Sequence, residues 1–385
     1  MSDGEKSLGD RLADRLAEYL AQPTAQEVES TEFDTNGNYI QTRVLESQPE
    51  TVDEVMETFG HDPEKCYVDG PVSIAHRELA DGRIVSTYRY KLRDRPAAVD
   101  IDEILKVVRK GKSHKPAGSA SDRVFVFQAS DLQLGKVDGY GPEGTVQRYF
   151  ESVERAVAEY TKRHKENPIG AVHLIFAGDC IENGGVSQGG KLAWRQSLTV
   201  TEQVRVWRRM LMETVKRFAP LTDALFVSAV GGNHDDATRI PVQTRADDNW
   251  ATEGAIAVAD ALEENPEAYG HVTVQVPPLD QGFMTVQVGE TVFTILHGHQ
   301  FRKGKAADWV ASQAFYLGGP TKAHFICHGH WHSTSIHQDG PRTIVCSGTY
   351  DGGSSWYRDL TGAEARQGGL IYVTDGPEFE GLTRI

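Results

Sequence analysis

The sequence predicts an α/β protein in which a domain over 121–385 follows an α+β appendage and linker over 1–115. Three observations carry this. From residue 123 onward, short apolar runs each end abruptly in Asp, His or Asn. Between the first three runs lie two long segments with the apolar period of a helix, the grammar of strands joined by crossover helices. Residues 110–121, KGKSHKPAGSAS, combine Gly, Pro, Ser and Lys without apolar rhythm, which is linker composition.

In the appendage, Leu8, Leu12, Leu16, Tyr19 and Leu20 recur at helical spacing over 7–21. That helix offers an apolar face to its own chain or to a second copy in a homodimer. Residues 22–50 read as polar and featureless, 51–59 as a short helix, and 83–93 as a strand by their alternation. In the larger domain VFVFQ leads to Asp131, HLIF to Gly178 and Asp179, and ALFVSAV to Asn233, His234 and Asp235. TVFTIL leads to His297 and His299, and HFIC to His328, His330 and His332. Helices are predicted over 143–165 and 200–218. The runs HVTVQV, FMTVQV and TVFTIL crowd together after 270, which predicts a second, partly antiparallel layer. Sites in such sheets form where the carboxyl ends of the strands meet.

Composition narrows the function classes. A chain of 385 residues with 39% apolar and 25% charged residues is neither disordered nor fibrous. With 40 Lys and Arg against 55 Asp and Glu, the formal charge of −15 repels phosphate backbones at long range, so any nucleic-acid contact must be local. No apolar run reaches the roughly 20 residues of a membrane span, and the acidic start MSDGEKSLGD lacks the basic-then-apolar pattern of a signal peptide; the expectation is a cytoplasmic protein with no membrane partner. The four cysteines show no CxxC pair, which argues against a disulfide framework or thiolate zinc.

Asp131, Asp179, Asn233, His234, His297, His330 and His332 form a mixed oxygen and nitrogen donor set, suited to Mn, Fe or Zn rather than Mg or Ca. Residues two apart on an extended segment share a side, so Asp131 with Gln133, and His330 with His332, are expected to reach one site together. There are donors enough for two divalent ions. Two such ions hold a hydroxide and neutralise a phosphoryl oxygen in in-line attack on phosphorus.

In order and residue type, Asp131, Gly178-Asp179, Gly232-Asn233-His234-Asp235, His297-Gly298-His299 and Gly329-His330-Trp331-His332 resemble the calcineurin-like metallophosphoesterases over about 123–349. The resemblance implies a two-sheet αββα sandwich and a dinuclear centre, with Mn the expected metal and Fe or Zn alternatives. One ion would take Asp131, Asp179 and His332, the other Asp179, Asn233, His297 and His330. His234 would stabilise or protonate the leaving oxygen, with Asp235 orienting it. The family's first motif is usually DxH; here it is Asp131-Leu132-Gln133, placing a carboxamide where an imidazole normally coordinates, as in a DxQ subgroup that the chain resembles.

Substrate choice lies in the loops. The implied activity is that of a phosphodiesterase or exonuclease similar to the SbcD-type enzymes, helped by basic clusters at Arg302-Lys303-Gly304-Lys305 and over 106–115. A small-molecule or cyclic-nucleotide phosphatase or phosphodiesterase is a second reading, and a non-catalytic nucleotide- or protein-binding module a third. Asn183 and His299 are candidate substrate contacts, Glu182 a candidate partner for either substrate or ligands, and Tyr350, Trp356 and Tyr357 a candidate base-stacking surface. His173, His271 and His324 receive no functional role.

Overall fold

The computed structural model describes residues 29–34, 38–45, 48–79, 82–94, 121–190, 196–238, 244–313, 318–353, 358, 362 and 365–385, excluding the side chains of 93, 94, 187 and 188. The helix expected over 7–21, the linker over 110–121 except its last residue, and the basic run over 106–115 lie outside the described residues. The chain divides into two compact units, Met1–Ala97 and Ala98–Ile385.

The first unit holds β1 (Ser30–Phe33), β2 (Tyr39–Val44), α1 (Val52–Thr58), β3 (Cys66–Val68), β4 (Ser73–Glu78), β5 (Ile84–Tyr90) and β6 (Leu92–Asp94). One antiparallel sheet runs β1-β2-β5-β4, and β3 pairs with β6. Thr51 caps α1 by accepting from Glu54 N, and Val55 packs with Tyr88 and Tyr90. The strand expected over 83–93 is therefore two strands in two sheets. The expectation of a featureless 22–50 fails because β1 and β2 lie there. β1 is mostly exposed and β2 is half-buried with the polar Gln41 as its buried residue, so neither shows an apolar alternation.

The second unit contains β7 (Val124–Ala129), α2 (Gly141–Glu166), β8 (Ala171–Ala177), α3 (Val200–Phe218), β9 (Leu225–Val230), α4 (Trp250–Glu263), α5 (Pro266–Tyr269) and β10 (Val272–Gln275). There follow β11 (Phe283–Val288), β12 (Thr291–Leu296), α6 (Ala306–Gln313), β13 (Phe325–His328), β14 (Ser335–Asp339), β15 (Arg342–Cys346), β16 (Leu370–Asp375) and β17 (Glu378–Arg384). One sheet is ordered β10-β9-β8-β7-β16-β17, the other β11-β12-β13-β15-β14. The first four strands of the larger sheet run parallel, whereas β16 and β17 are antiparallel additions.

Side-chain alternation explains the layering. On β7, Phe125 and Phe127 face a core shared with α2, α3 and α4, while Val124 and Val126 face Phe293, Ile295 and Phe325 of the smaller sheet. Covered on both faces, β7 and β8 read as continuous apolar runs rather than alternating ones. A third core joins the outer face of the smaller sheet to Ala306 and Val310 of α6. The second unit is thus the expected helix–sheet–sheet–helix sandwich. Each fully buried Phe, Val or Ile contributes about 1.5–3 kcal/mol.

Local signals set the helix ends. Thr199 and Glu202 form a capping box at α3, and Arg163, His164 and Lys165 in the last turn of α2 complement its dipole. One expectation is corrected: HVTVQV does not join the second layer, because β10 pairs parallel with β9 and extends the first sheet. Composition alone does not separate these neighbouring edge strands. Among the described residues, no helix is long and apolar enough to cross a membrane.

The histidines left without a role are structural. His271 Nε2 lies 2.9 Å from the Ala219 carbonyl, and His324 Nδ1 accepts from Val292 N at 3.3 Å. His173 is buried between the sheets, 2.9 Å from Ser228 Oγ and edge-on to Phe293, and burial lowers its pKa to about 3. The unfolded chain therefore binds a proton below pH 6.5 that the native state refuses until about pH 3, so stability falls as pH drops through that window. Urea titrations between pH 6.5 and 4 should show His173→Gln losing stability less steeply than the native sequence, by about 1.4 kcal/mol per pH unit for the one proton removed. Equal slopes would contradict the neutral buried imidazole.

Candidate metal centre

The site forms at the carboxyl ends of β7, β8, β9, β12 and β13, and the segment after β15 closes it. Gln128 on β7 joins the two sheets here. Its Nε2 donates to the carbonyls of His328 and Val345, while Tyr372 donates to its Oε1. Ser130 and Ser347 add a hydroxyl pair at 2.7 Å.

Beyond the strand ends the backbone turns sharply. Eight described non-glycine residues have positive φ, and six of them are Asp131, Gln133, Asp179, Asn183, His330 and His332. This left-handed region is sparsely populated and costs about 1–3 kcal/mol per residue. The extended-segment argument for the pairs Asp131/Gln133 and His330/His332 is thus corrected: they are brought inward by kinks. Gly178, at φ +83°, is needed because a Cβ there would lie 2.7 Å from His297 Nδ1, and at Gly232 a Cβ would collide with the Asp179 carboxylate.

Two carboxylates organise the cluster. Asp179 Oδ2 lies 3.1 Å from His297 Nε2 and 3.9 Å from His234 Nε2, and Oδ1 accepts from His234 N at 2.9 Å. His330 Nδ1 is 3.2 Å from His297 Nε2. Asp131 Oδ1 lies 3.1 Å from His332 Nε2, and Oδ2 accepts from His330 N at 2.9 Å. Asn233 stands between Gly232 and His234 on the same loop.

The donor chemistry fits a cation. Donor atoms of Asp179, His297 and His330 lie within 4.8 Å of one another. His297 Nδ1 lies 2.7 Å from the Ala177 carbonyl, which only accepts, so Nδ1 carries a proton and Nε2 is aimed at Asp179 and His330. A lone pair in that position faces another ligand's lone pairs, so a proton or a metal ion must lie there. Without metal, burial works against a charged His297, yet the Asp179 carboxylate raises its pKa to about 9. His330 moves the opposite way, to about 4, through burial and then the neighbouring His297.

His234 is held at the rim of this cluster. Its Nδ1 lies 3.2 Å from Glu182 Oε2. Burial opposes its charge, but Asp179 and Glu182 raise its pKa to about 10. Asp235 does not orient it, contrary to expectation. Both Asp235 oxygens are capped by backbone, Oδ1 by Ile181 N at 3.0 Å and Oδ2 by Gly232 N at 2.8 Å, which ties the β8 and β9 loops together. Burial, then Asp179, raises the Asp235 pKa to about 7. Glu182 orients the imidazole instead.

Other expectations shift as well. Asn183 is buried and its Nδ2 donates to the Asp236 carbonyl at 2.7 Å, so it braces the loop. His299 is exposed, its ring 5.5 Å from that of His297 and 6.2 Å from that of His330, in position to meet a ligand. His328 is buried against Phe301, and burial lowers its pKa to about 4. Tyr350 is fully buried in the helix-side core, edge-on to Tyr149, and presents no face to a base; Trp356 and Tyr357 lie outside the described residues.

Gln133 is buried beside His332, with Nε2 3.5 Å from His332 Nε2, while its Oε1 accepts from Lys136 Nζ at 3.1 Å. Lys136 also pairs with Asp351, whose Oδ2 lies 3.8 Å from His332 Nδ1. Burial disfavours a charged Asp351, yet His332 and Lys136 hold its pKa at about 2. Lys136 and Asp351 were not candidates from the sequence, since neither sits in a motif and they are brought together from distant segments.

No protein-family model matches the chain, and no curated protein matches it. Among solved structures it is similar to an archaeal phosphodiesterase at 12% identity, covering 68% of this chain and 99% of that one, with a TM-score of 0.31. Vacuolar protein sorting 29 from Cryptosporidium parvum gives 16% identity, 68% and 98% coverage and a TM-score of 0.30. Yfce, a phosphoesterase from E. coli, gives 13%, 68% and 99%, and 0.30. At TM-scores this low, the fold assignment rests on the sheet order and the three cores.

Metal at one hundred times its dissociation constant should raise the unfolding free energy by about 2.7 kcal/mol. Thermal or urea unfolding with and without Mn checks this. His297→Ala should abolish the increment, and an increment retained in that variant would place the ion elsewhere.

Proposed function

We propose that this chain is a divalent-metal-dependent phosphoester hydrolase that acts on phosphodiesters, with exonuclease-like cleavage as its specific form. The observation that supports it most is the meeting of Asp179, His297 and His330 within 4.8 Å, beside a histidine held by Glu182. The resemblance to calcineurin-like enzymes implies two divalent ions, one held by Asp131, Asp179 and His332 and the other by Asp179, Asn233, His297 and His330, with Mn as the expected metal. A divalent cation bound there neutralises charge on phosphoryl oxygens and makes water a better nucleophile.

The chain's own residues do the rest. Glu182 fixes His234 through Nδ1, leaving Nε2 turned to the Asp179 side of the cluster. His234 would pass the Nε2 proton to the departing oxygen of the ester, a contribution of about 10²–10⁴-fold in rate. His299 stands exposed at the mouth, and exposed Arg302 and Lys303 follow it closely in sequence, supplying local positive charge to a phosphate-bearing ligand despite the overall −15.

That net charge supports a second reading, a small-molecule or cyclic-nucleotide substrate that needs no extended basic surface. Assays with Mn on an aryl phosphodiester, an aryl monoester and labelled single- and double-stranded DNA separate the readings. The proposal expects diester and DNA turnover. Monoester preference would remove the nuclease, and turnover of none would leave a binding module. Asp179→Asn should abolish activity. His234→Ala should retain metal while losing about 10²–10⁴-fold in kcat, and loss of metal in that variant would show His234 to be a ligand.

A further inference from the structure

On the Asp131 side of the cluster the chain carries a cation of its own. The Lys136 side chain is only 15% exposed, and its ammonium contacts the Asp351 carboxylate and Gln133 Oε1. An ammonium only donates, so the Gln133 atom it meets is the oxygen, the one atom of the carboxamide able to coordinate a metal. The other end of the amide, Nε2, is turned toward His332 Nε2. The Gln133 oxygen is thus engaged by a fixed ammonium that repels a second cation, and the Asp131 side keeps Asp131 and His332 beside the shared Asp179.

The lysine is fixed from several directions. Its backbone N donates to the Gln133 carbonyl, and the residue bridges to Gln196, while Leu134 bridges to Ile181. Asp351 is buried and receives Gly353 N on Oδ1; the preceding Thr349 and Tyr350 both donate to the Asp131 carbonyl, which fixes this segment against the β7 loop. The Asp351 carboxylate in contact with the ammonium is its counter-charge. A lysine is a compact point charge with three donors, suited to a phosphoryl oxygen.

We propose that Lys136, positioned by Gln133 and Asp351, supplies the second positive charge of this centre, which consequently binds one divalent ion per chain, at Asp179, His297 and His330. Only the role of that charge rests on the phosphoester-hydrolase reading; the stoichiometry does not.

The test is metal counting on the full chain after chelation, by calorimetric titration with Mn and elemental analysis. The native sequence should take up one ion, with any second binding at least about 100-fold weaker, and Gln133→His with Lys136→Met should take up two. Two ions of similar affinity in the native chain would overturn the proposal whatever the activity. Lys136→Met combined with Asp351→Asn, which leaves no unpaired buried charge, should keep the single ion while kcat/KM for an aryl phosphodiester falls about 10²-fold, the scale of losing one charge-stabilising donor. Unchanged turnover in that variant would overturn the role of the lysine. One ion with no phosphoester turnover in the native chain would uphold the stoichiometry and remove the hydrolase reading.

Discussion

Two carboxylates, Asp131 and Asp179, sit buried where the two sheets meet, and the surrounding structure is arranged around their charge. A buried ion loses several kcal/mol of hydration, so each must find positive partners or share a cation. The chain places His332 against Asp131 and His297 and His234 against Asp179, and it sets the Lys136–Asp351 pair behind His332. Burial alone would raise both aspartate pKa values. The imidazoles outweigh it and lower them, His332 for Asp131 and His297 with His234 for Asp179. A concentration of buried charge of this kind characterises functional sites more than structural ones.

Holding these groups together requires a rigid frame. Five strand ends must converge, and the residues just beyond them adopt left-handed backbone that is unfavourable in isolation. The two sheets tolerate this because they are apolar on both faces and joined at the site by Gln128 and by the Ser130–Ser347 pair. Stability stored in the cores is thus spent on loop geometry, and that geometry brings Asp179, His297 and His330 within reach of one another.

Much of this was legible in the sequence. The strands β7, β8, β9, β12 and β13 and the helices α2 and α3 announce themselves through unbroken apolar runs and helical periodicity, and the ligand residues stand directly after them. Sequence also left His173, His271 and His324 out of the site, where the structure agrees. What it could not show depends on non-local packing. β10 joins the first sheet because Val272 pairs with Leu225, a register no local pattern reveals. The partner of His234 is Glu182 and not the adjacent Asp235, because backbone donors claim both Asp235 oxygens. Lys136 and Asp351 lie 215 positions apart and meet only in the folded chain. β1 was hidden by its exposure and β2 by burying the polar Gln41.

On the proposed reading, the strand ends converge in order to hold a divalent cation. Crystals grown with Mn and measured near its absorption edge test this most directly. An anomalous peak within coordination distance of Asp179, His297 and His330 is the predicted result. Well-ordered side chains at those positions with no peak among them, or a peak bound elsewhere, would contradict it.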